Sequence, residues 1–126
     1  SQMNRKNLYG DECPVLHALN LLGGKWRLPI IWHLLEGGLR YNQLKRQLQG
    51  ITNIMLTRSL QDLEECGLVK RVQYSEIPPH VEYYLTEHAK KLIPAMEIFQ
   101  EWGEEQMLLE KGEREPAISF ELPTPK

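Results

Sequence analysis

The sequence predicts a mainly α-helical domain with a small β-hairpin, an α+β arrangement. Apolar residues recur at helical spacing in five stretches of the chain. Residues 68–85 have a β-rich composition instead, interrupted at Ile77-Pro78-Pro79, as expected for two strands and their connection. A chain of 126 residues has the usual size of a single domain. We therefore expect five helices and one hairpin around one core.

The composition is that of a soluble globular protein. Hydrophobic residues make up 41% of the chain and charged residues 25%. No apolar run approaches the roughly 20 residues that span a bilayer, and residues 1–10 lack the apolar stretch of a signal peptide. The two cysteines are too few for a disulfide framework. We expect a cytoplasmic protein that does not contact membranes.

Prolines and glycines delimit the first two helices. Cys13-Pro14 opens the first helix, because proline at the first helical position loses no hydrogen bond, and Gly23-Gly24 ends it. In the second helix, Pro29 must lie in the first turn or kink the helix. The apolar positions of the two helices are Leu16, Leu19 and Leu22, and Trp26, Ile30, Ile31, Leu34 and Leu35.

Two further helices are separated by a tight turn. Gly50 closes a short third helix, Thr52 is a good N-cap for the fourth, and Gly67 is the glycine expected just after its end. The third helix has its apolar residues at i, i+3 and i+7, and the fourth has a narrow apolar face. These positions are Tyr41, Leu44 and Leu48 in the third helix, and Leu56, Leu60 and Leu63 in the fourth.

The last helix follows the hairpin. Thr86 can cap it, and Pro94 is expected to bend it. The resulting organisation is an N-terminal arm, a folded domain and an acidic, proline-containing tail, over residues 1–12, 13–107 and 108–126. Within the domain we place the fourth helix at about 52–66, the hairpin at about 68–85 and the last helix at about 86–107.

The distribution of charge permits nucleic-acid binding despite a net charge of -2. Residues 37–61 contain four basic residues and no acid, whereas residues 97–126 contain eight glutamates. Exposed charges act over roughly a Debye length, about 8 Å in physiological salt, so a local positive surface is sufficient. The basic segment, rather than the net charge, indicates the partner.

The order helix, tight turn, helix and hairpin is that of a winged helix-turn-helix, in which the start of the second helix enters the DNA major groove. We predict double-stranded DNA as the partner. Side chains opposite the leucine face suit base edges: Thr52, Asn53, Ile54, Thr57, Arg58 and Gln61. A second set suits phosphates and the wing contact: Lys25, Arg40, Gln43, Lys45, Arg46 and His80.

Each of these assignments has a plain structural alternative. A basic residue on a short helix is often part of a solvated face. Ile54 can pack under a neighbouring turn instead of facing DNA, and His80 can be an ordinary surface residue of the hairpin tip.

Six sequence pieces resemble the HxlR-type bacterial transcriptional regulators, which are relatives of MarR-like winged-helix proteins. The pieces occur in the family order over about 90 residues. They are "CPV" at Cys13, "GGKW" at Gly23, "LRYNQLKRQLQGIT" at Leu39, "MLTRSLQDLEECGLVKR" at Met55, "PPHVEYYLTEHAKKLIP" at Pro78 and "WG" at Trp102.

The resemblance implies a homodimer that binds an inverted-repeat operator, with the first and last helices at the interface. A two-fold dimer places its recognition helices about one DNA turn apart, roughly 34 to 36 Å. The alternative is that the last helix only completes the core of one protomer. The expected interface residues are Leu16, Leu92, Met96, Phe99 and Trp102.

Four positions depart from the pattern of that family. Ile54 stands where a basic residue is usual, and His80 replaces the usual Lys or Arg of the wing. Ala89 stands at a position where glycine is frequent, and Pro29 is unusual in the second helix. We expect the first two to affect DNA contacts and the last two to leave the fold unchanged.

Cys13 is a redox-sensing candidate, because some members of that family respond to oxidants through a cysteine before the first helix. A helix N-terminus favours the reactive thiolate, which Asp11 and Glu12 oppose. Oxidation to sulfenic acid or an intersubunit disulfide would change the angle between recognition helices. The alternative is a buried cysteine that only packs. For Cys66 we expect packing.

Other functions find little support in the sequence. The four histidines lack metal-ligand spacing, and neither a metalloprotease motif nor a glycine-rich phosphate loop is present, so we expect no enzyme, metal or cofactor. The second hypothesis is a winged helix that binds proteins rather than DNA. A small-molecule effector stays unknown, and Trp26, Trp32 and Trp102 are expected in the core rather than in an effector pocket.

Overall fold

The computed structural model describes residues 13–112. The expected N-terminal arm and residues 113–126 of the tail lie outside this part of the chain. The order of elements is α1 (Pro14–Leu22), α2 (Arg27–His33), α3 (Tyr41–Gln47), α4 (Asn53–Glu65), β1 (Val69–Glu76), β2 (Pro79–Leu85), α5 (Glu87–Lys90) and α6 (Ile93–Glu110).

The first helix begins as the sequence predicts. Cys13 is the N-cap of α1, Pro14 follows at the first helical position, and Gly23 is the C-cap. Helix α2 is shorter than its apolar residues suggest, because Trp26 is its N-cap and it ends at His33. The expected place of proline in the first turn is confirmed, where the missing N–H has no intrahelical acceptor to lose.

Helices α3 and α4 form the expected helix-turn-helix. Gly50 adopts a φ of +91°, which glycine enters without strain, and the chain then turns into α4. The Oγ1 of Thr52 accepts a hydrogen bond from the Met55 amide at 3.1 Å, so the expected N-cap is confirmed. The expected apolar face of α4 is buried, at Leu56, Leu60 and Leu63.

The wing is the antiparallel pair β1 and β2, in register from Val69 opposite Leu85 to Glu76 opposite Pro79. A third piece of chain joins this hairpin. Leu39, just before α3, exchanges two backbone hydrogen bonds with Tyr83, at 2.8 and 3.1 Å. This pairing anchors the wing to the start of the helix-turn-helix, and the sequence analysis did not predict it.

The expectation of one last helix with a bend at Pro94 is wrong. The hydroxyl of Thr86 accepts a hydrogen bond from the Ala89 amide and caps only the short helix α5, which ends at Lys90. Proline has no N–H to donate to the carbonyl four residues earlier, and its ring crowds that carbonyl. A new helix, α6, therefore starts at Ile93, and it continues to Glu110, beyond the expected end at residue 107.

The chain divides into two compact units, and the boundary between them lies after Lys90. The core of the first unit is made of Cys13 and aliphatic residues: Ile30, Ile31, Leu34, Leu44, Leu48, Ile51, Leu56, Leu60, Leu63, Leu68, Val69, Leu85 and Ala89. Tryptophan is absent from this set, contrary to expectation: Trp26 is half-buried, and Trp32 is 40% exposed. Trp102, which lies in the second unit, is 62% exposed. Helical spacing identifies an apolar position, but it does not show whether another element covers it.

Candidate nucleic-acid interface

The outer face of α4 is open to solvent. Ile54 is 72% exposed, so it does not pack under a neighbouring turn. Five of the six residues expected at base edges line one shallow depression on this face: Asn53, Ile54, Thr57, Arg58 and Gln61. The sixth, Thr52, is exposed at the N-cap, with its hydroxyl already bonded to the backbone.

An ion pair holds the first acidic residue of α4. The guanidinium of Arg27, on α2, donates a hydrogen bond of 2.8 Å from Nη2 to Oδ2 of Asp62. Its other terminal nitrogen, Nη1, donates to the carbonyl oxygen of Leu21 at the end of α1. The carboxylate charge is therefore balanced by a cation on the neighbouring helix, and the start of α4 keeps a face without acids.

Tyr41 belongs to this interface, although the sequence analysis placed it in the apolar stripe of α3. Its hydroxyl lies 3.0 Å from the carbonyl oxygen of Asn53, 3.3 Å from Oδ1 of the same residue and 3.1 Å from Oγ1 of Thr57. Two of the expected base-edge residues are thus hydrogen-bonded to α3. The hydroxyl at the first position of α3 was the only signal available in the sequence.

The residues expected at phosphates lie in three places: on α3 and its N-cap, in the loop before α2, and in β2. Arg40 is the N-cap of α3, and Gln43 accepts a hydrogen bond of 2.8 Å from the Arg40 amide, which closes the start of the helix. Arg46 is exposed and Lys45 half-buried on the same helix. Lys25 lies in the loop before α2, with its ammonium 4.9 Å from the centre of the Trp26 ring.

His80 is not at the tip of the wing, as we expected, but in β2. The tip is formed by Ile77 and Pro78, and the Nε2 of His80 lies 2.6 Å from Oε2 of Glu82. The imidazole already has an acidic partner, so its contribution to a phosphate contact is weakened. The basic residues that the hairpin does expose are Lys70 and Arg71 on β1, which the sequence analysis missed.

A hydrogen-bond network stiffens the same hairpin. The hydrogen bond from His80 is the main cause of a lowered pKa at Glu82, and burial opposes it. Tyr84 donates to Glu82 at 3.1 Å, and its own hydroxyl also pairs with that of Tyr74. The bond to Tyr74, followed by burial and the bond to Glu82, raises the pKa of Tyr84.

Both cysteines of the chain are free thiols. Cys13 is fully buried at the start of α1, and its carbonyl accepts the first helical hydrogen bond from the His17 amide at 2.9 Å. Cys66 is exposed at the C-cap of α4, so the expectation that it packs in the core is wrong. A residue that follows the last turn of a helix has left the apolar stripe and is free to face solvent.

Comparison with known families agrees with this geometry. A family model described as HxlR-like helix-turn-helix matches residues 21–111. The chain belongs to this family. An uncharacterised HTH-type transcriptional regulator of Methanothermobacter thermautotrophicus is 45% identical over 97 residues, which are 75% of this chain and 74% of that protein.

Solved structures of known regulators have a similar fold. The redox regulator HypR in its reduced form matches with a TM-score of 0.74 and 38% identity, over 79% of this chain and 98% of that one. The reduced form of the transcriptional regulator YodB from B. subtilis matches with a TM-score of 0.66 and 33% identity, over 71% and 89%.

This HxlR-type protein is therefore a DNA-binding transcriptional regulator with a winged helix-turn-helix fold. The comparisons do not favour a winged helix that only binds proteins, and the family consists of regulators rather than enzymes. None of the helices within residues 13–112 combines the length and the apolar character of a membrane span. The same residues contain no group of three or more histidine, cysteine or acidic side chains suited to a metal ion.

Proposed function

We propose that this regulator is a cytoplasmic homodimer that binds an inverted-repeat operator and reads it with the outer face of α4. The observation that carries the proposal is the exposed, acid-free start of α4, whose first acidic residue is held by Arg27 on α2. That arrangement presents hydrogen-bonding and basic side chains to the major groove without a competing carboxylate.

The residue types on this face match the chemistry of base edges. Arg58 can donate two hydrogen bonds to guanine, and Gln61 or Asn53 can pair with adenine. Ile54 offers an apolar contact to a thymine methyl group. We expect operator specificity to come mainly from these four residues.

Phosphate contacts position the protein on the duplex. The short helix α3 has Arg40 as its N-cap and carries Gln43, Lys45 and Arg46. In a helix-turn-helix, this helix precedes the recognition helix and lies over the DNA backbone. Arg71 on the wing adds a cation beside the same face, since it lines a cleft with Thr57 and Gln61. Lys25 and His80 are the weaker candidates.

Salt-dependent binding to a selected operator tests this proposal. Fragments chosen from random duplex DNA provide the operator, and fluorescence anisotropy gives its affinity across a salt series. R58A should lose affinity mainly for the selected sequence. K45A should weaken binding to all DNA sequences. It should also reduce the slope of the logarithm of the binding constant against the logarithm of the salt concentration by about 1.

The matched control for these two variants is K111A, which removes an exposed cation at the end of α6. It should bind like the parent protein. Unchanged affinity of both R58A and K45A, at low and at moderate salt, would rule out α4 and α3 as the DNA-binding surface.

Exposed apolar side chains support the dimer. Helix α1 exposes Leu16 among its apolar residues, and α6 exposes Phe99 and Trp102, at 60% and 62%. Leu92 and Met96 are half-buried. Large apolar surfaces of this kind mark association sites in soluble proteins. The remaining large apolar residues exposed on the two helices are Val15, Leu19, Ile98, Met107 and Leu108.

Sedimentation velocity distinguishes a dimer from a protomer. We expect the parent protein to sediment as a dimer, and F99E/W102E to sediment as a protomer with weak operator binding. Q100E places one negative charge on the same helix at an exposed position and should remain dimeric. A parent protein that sediments as a protomer at micromolar concentration contradicts the proposal.

We also propose that oxidation at Cys13 changes operator binding. The likeness to HypR, described as a redox regulator, supports this. Cys13 is buried at the N-cap of α1, so oxidation requires the start of that helix to open, and a modified sulfur would hold it open. Such a change at one end of the domain can alter the angle between two recognition helices.

Diamide takes two electrons and two protons from a pair of thiols and leaves a disulfide, and it tests this second proposal. The pair here is the Cys13 thiols of the two protomers, which are joined by an intersubunit disulfide. The parent protein and C66S should release the operator after diamide treatment and recover after reduction, whereas C13S should stay bound. If diamide makes C13S release the operator to the same extent as the parent protein, Cys13 is not the sensor.

A further inference from the structure

The hydroxyl of Tyr41 connects two residues of the recognition helix. Its oxygen lies 3.1 Å from Oγ1 of Thr57 and 3.0 Å from the carbonyl oxygen of Asn53. The Oδ1 of Asn53 is 3.3 Å away. Thr57 and Asn53 are both exposed on the face that we propose for base contacts, whereas Tyr41 itself is half-buried.

The chemistry of these atoms fixes the direction of the hydrogen bonds. Both Asn53 oxygens are acceptors only, and a tyrosine hydroxyl has a single hydrogen to donate. Tyr41 must therefore donate toward Asn53, because any other arrangement leaves acceptor oxygens facing one another. The remaining contact, between Tyr41 and Thr57, then requires the Thr57 hydroxyl to be the donor.

This direction leaves Thr57 with a defined role toward a ligand. Its only hydroxyl hydrogen is given to Tyr41, so Oγ1 presents lone pairs to the solvent side. A free threonine hydroxyl can rotate to donate or to accept and therefore discriminates poorly between base edges. In the major groove the partners for an acceptor are the exocyclic amino groups, N6 of adenine and N4 of cytosine.

We infer that Tyr41 is a positioning residue that sets operator specificity, by holding the Thr57 hydroxyl as an acceptor for an adenine or cytosine amino group. The inference rests on the proposed reading of DNA by α4. It predicts that one base pair in each half-site is selected for an amino group at the edge that Thr57 faces.

Operator selection with Y41F tests this inference. The variant keeps the ring and removes only the hydroxyl, so Thr57 regains its rotation. Preference for adenine or cytosine over guanine or thymine at one base pair should fall from roughly two- to tenfold toward parity, as expected for a single hydrogen bond. The other positions of the selected site should keep their preferences, and affinity for nonspecific DNA should not change.

Y83F is the matched control. Tyr83 lines the same cleft as Tyr41. Within residues 13–112, its hydroxyl makes no hydrogen bond to α4. We expect Y83F to select the same operator as the parent protein. T57V removes the acceptor itself and should abolish the preference at the same base pair, and Y41F/T57V should lose no more than T57V alone, because the two residues act as a unit.

The outcomes separate this inference from the proposal on which it rests. If the parent protein selects no DNA sequence, both fail. If the parent protein and Y83F select one operator and Y41F retains its full preference at every position, only the role of Tyr41 is overturned. A uniform loss of affinity in Y41F, without change at one base pair, shows a purely structural tyrosine and also overturns it. Should Y41F not fold, an unaltered preference in T57V decides against the inference.

Discussion

Arg27 on α2 and Asp62 on α4 form an ion pair, with 2.8 Å between Nη2 and Oδ2. The side chains are 27% and 37% exposed, so solvent screens the attraction. The same guanidinium also donates to the Leu21 carbonyl at the end of α1. One arginine therefore connects three helices and neutralises the first acid of the recognition helix.

We expect R27M to have two separable effects. Loss of the partly screened pair should lower the free energy of unfolding by about 0.5 to 1 kcal/mol. The unpaired Asp62 carboxylate should then weaken DNA binding, most strongly at low salt. Urea unfolding and anisotropy titrations measure the two effects. In R27M/D62N the DNA affinity should recover. If the double variant binds DNA as weakly as R27M, the charge of Asp62 does not affect binding.

The N-cap of the recognition helix is a second target. The hydroxyl of Thr52 accepts a hydrogen bond of 3.1 Å from the Met55 amide, so T52A leaves that exposed amide without its cap. Removal of such a cap typically costs about 1 kcal/mol, whereas T52S retains the hydroxyl and should stay close to the parent protein. Thermal and urea unfolding of both variants check this, and equal stability of T52A and T52S would contradict the assigned cap.

The wing should respond to acid through Glu82. Its pKa lies below the ordinary value of 4.5, mainly because His80 donates a hydrogen bond to it. The folded hairpin therefore favours the carboxylate, and this stabilisation is complete above the unfolded-state pKa and disappears as the pH falls through the lowered value. We expect the parent protein to have a higher free energy of unfolding than E82Q at pH 7. This difference in free energy should become smaller as the pH is lowered to 3. E65Q removes the same charge elsewhere and corrects for net charge; a constant difference between the parent protein and E82Q would refute the assignment.

The two thiols should differ in reactivity with a bulky disulfide reagent. Cys66 is exposed at the end of α4, whereas Cys13 is fully buried. One thiol per folded protomer should react quickly, and the second only when the start of α1 opens or the protein is unfolded. In C66S the fast phase should vanish, and in C13S it should remain. A fast phase that survives in C66S would show that Cys13 is accessible.

Gly38 limits the position of the wing. A Cβ at this residue would clash with the ring of Tyr84, whose hydroxyl is held by Tyr74 and Glu82. G38A should therefore displace the ring and lower stability by about 1 to 3 kcal/mol. In a Y84A background the same substitution should cost much less. If G38A is as stable as the parent protein, the Tyr84 ring can move aside without loss of stability, and Gly38 does not limit the position of the wing.

Local sequence signals were sufficient for most elements. Proline at the start of α1, the Thr52 cap and the buried leucines of α4 are confirmed, because caps and helical spacing act within a few residues. The hairpin is also where the β-rich composition indicated. The division of the last helix was missed, since Pro94 was treated as a bend rather than as the start of a new helix.

The sequence by itself determined the family, the order of helices and hairpin and the polar face of α4. Only the tertiary structure decided which partners those residues meet. Tyr41 reaches Asn53 and Thr57 across 12 and 16 positions of sequence, and Arg27 reaches Asp62 across 35. Helical spacing and capping constrain neighbours along one element, whereas these hydrogen bonds depend on how separate elements pack, which no local pattern encodes.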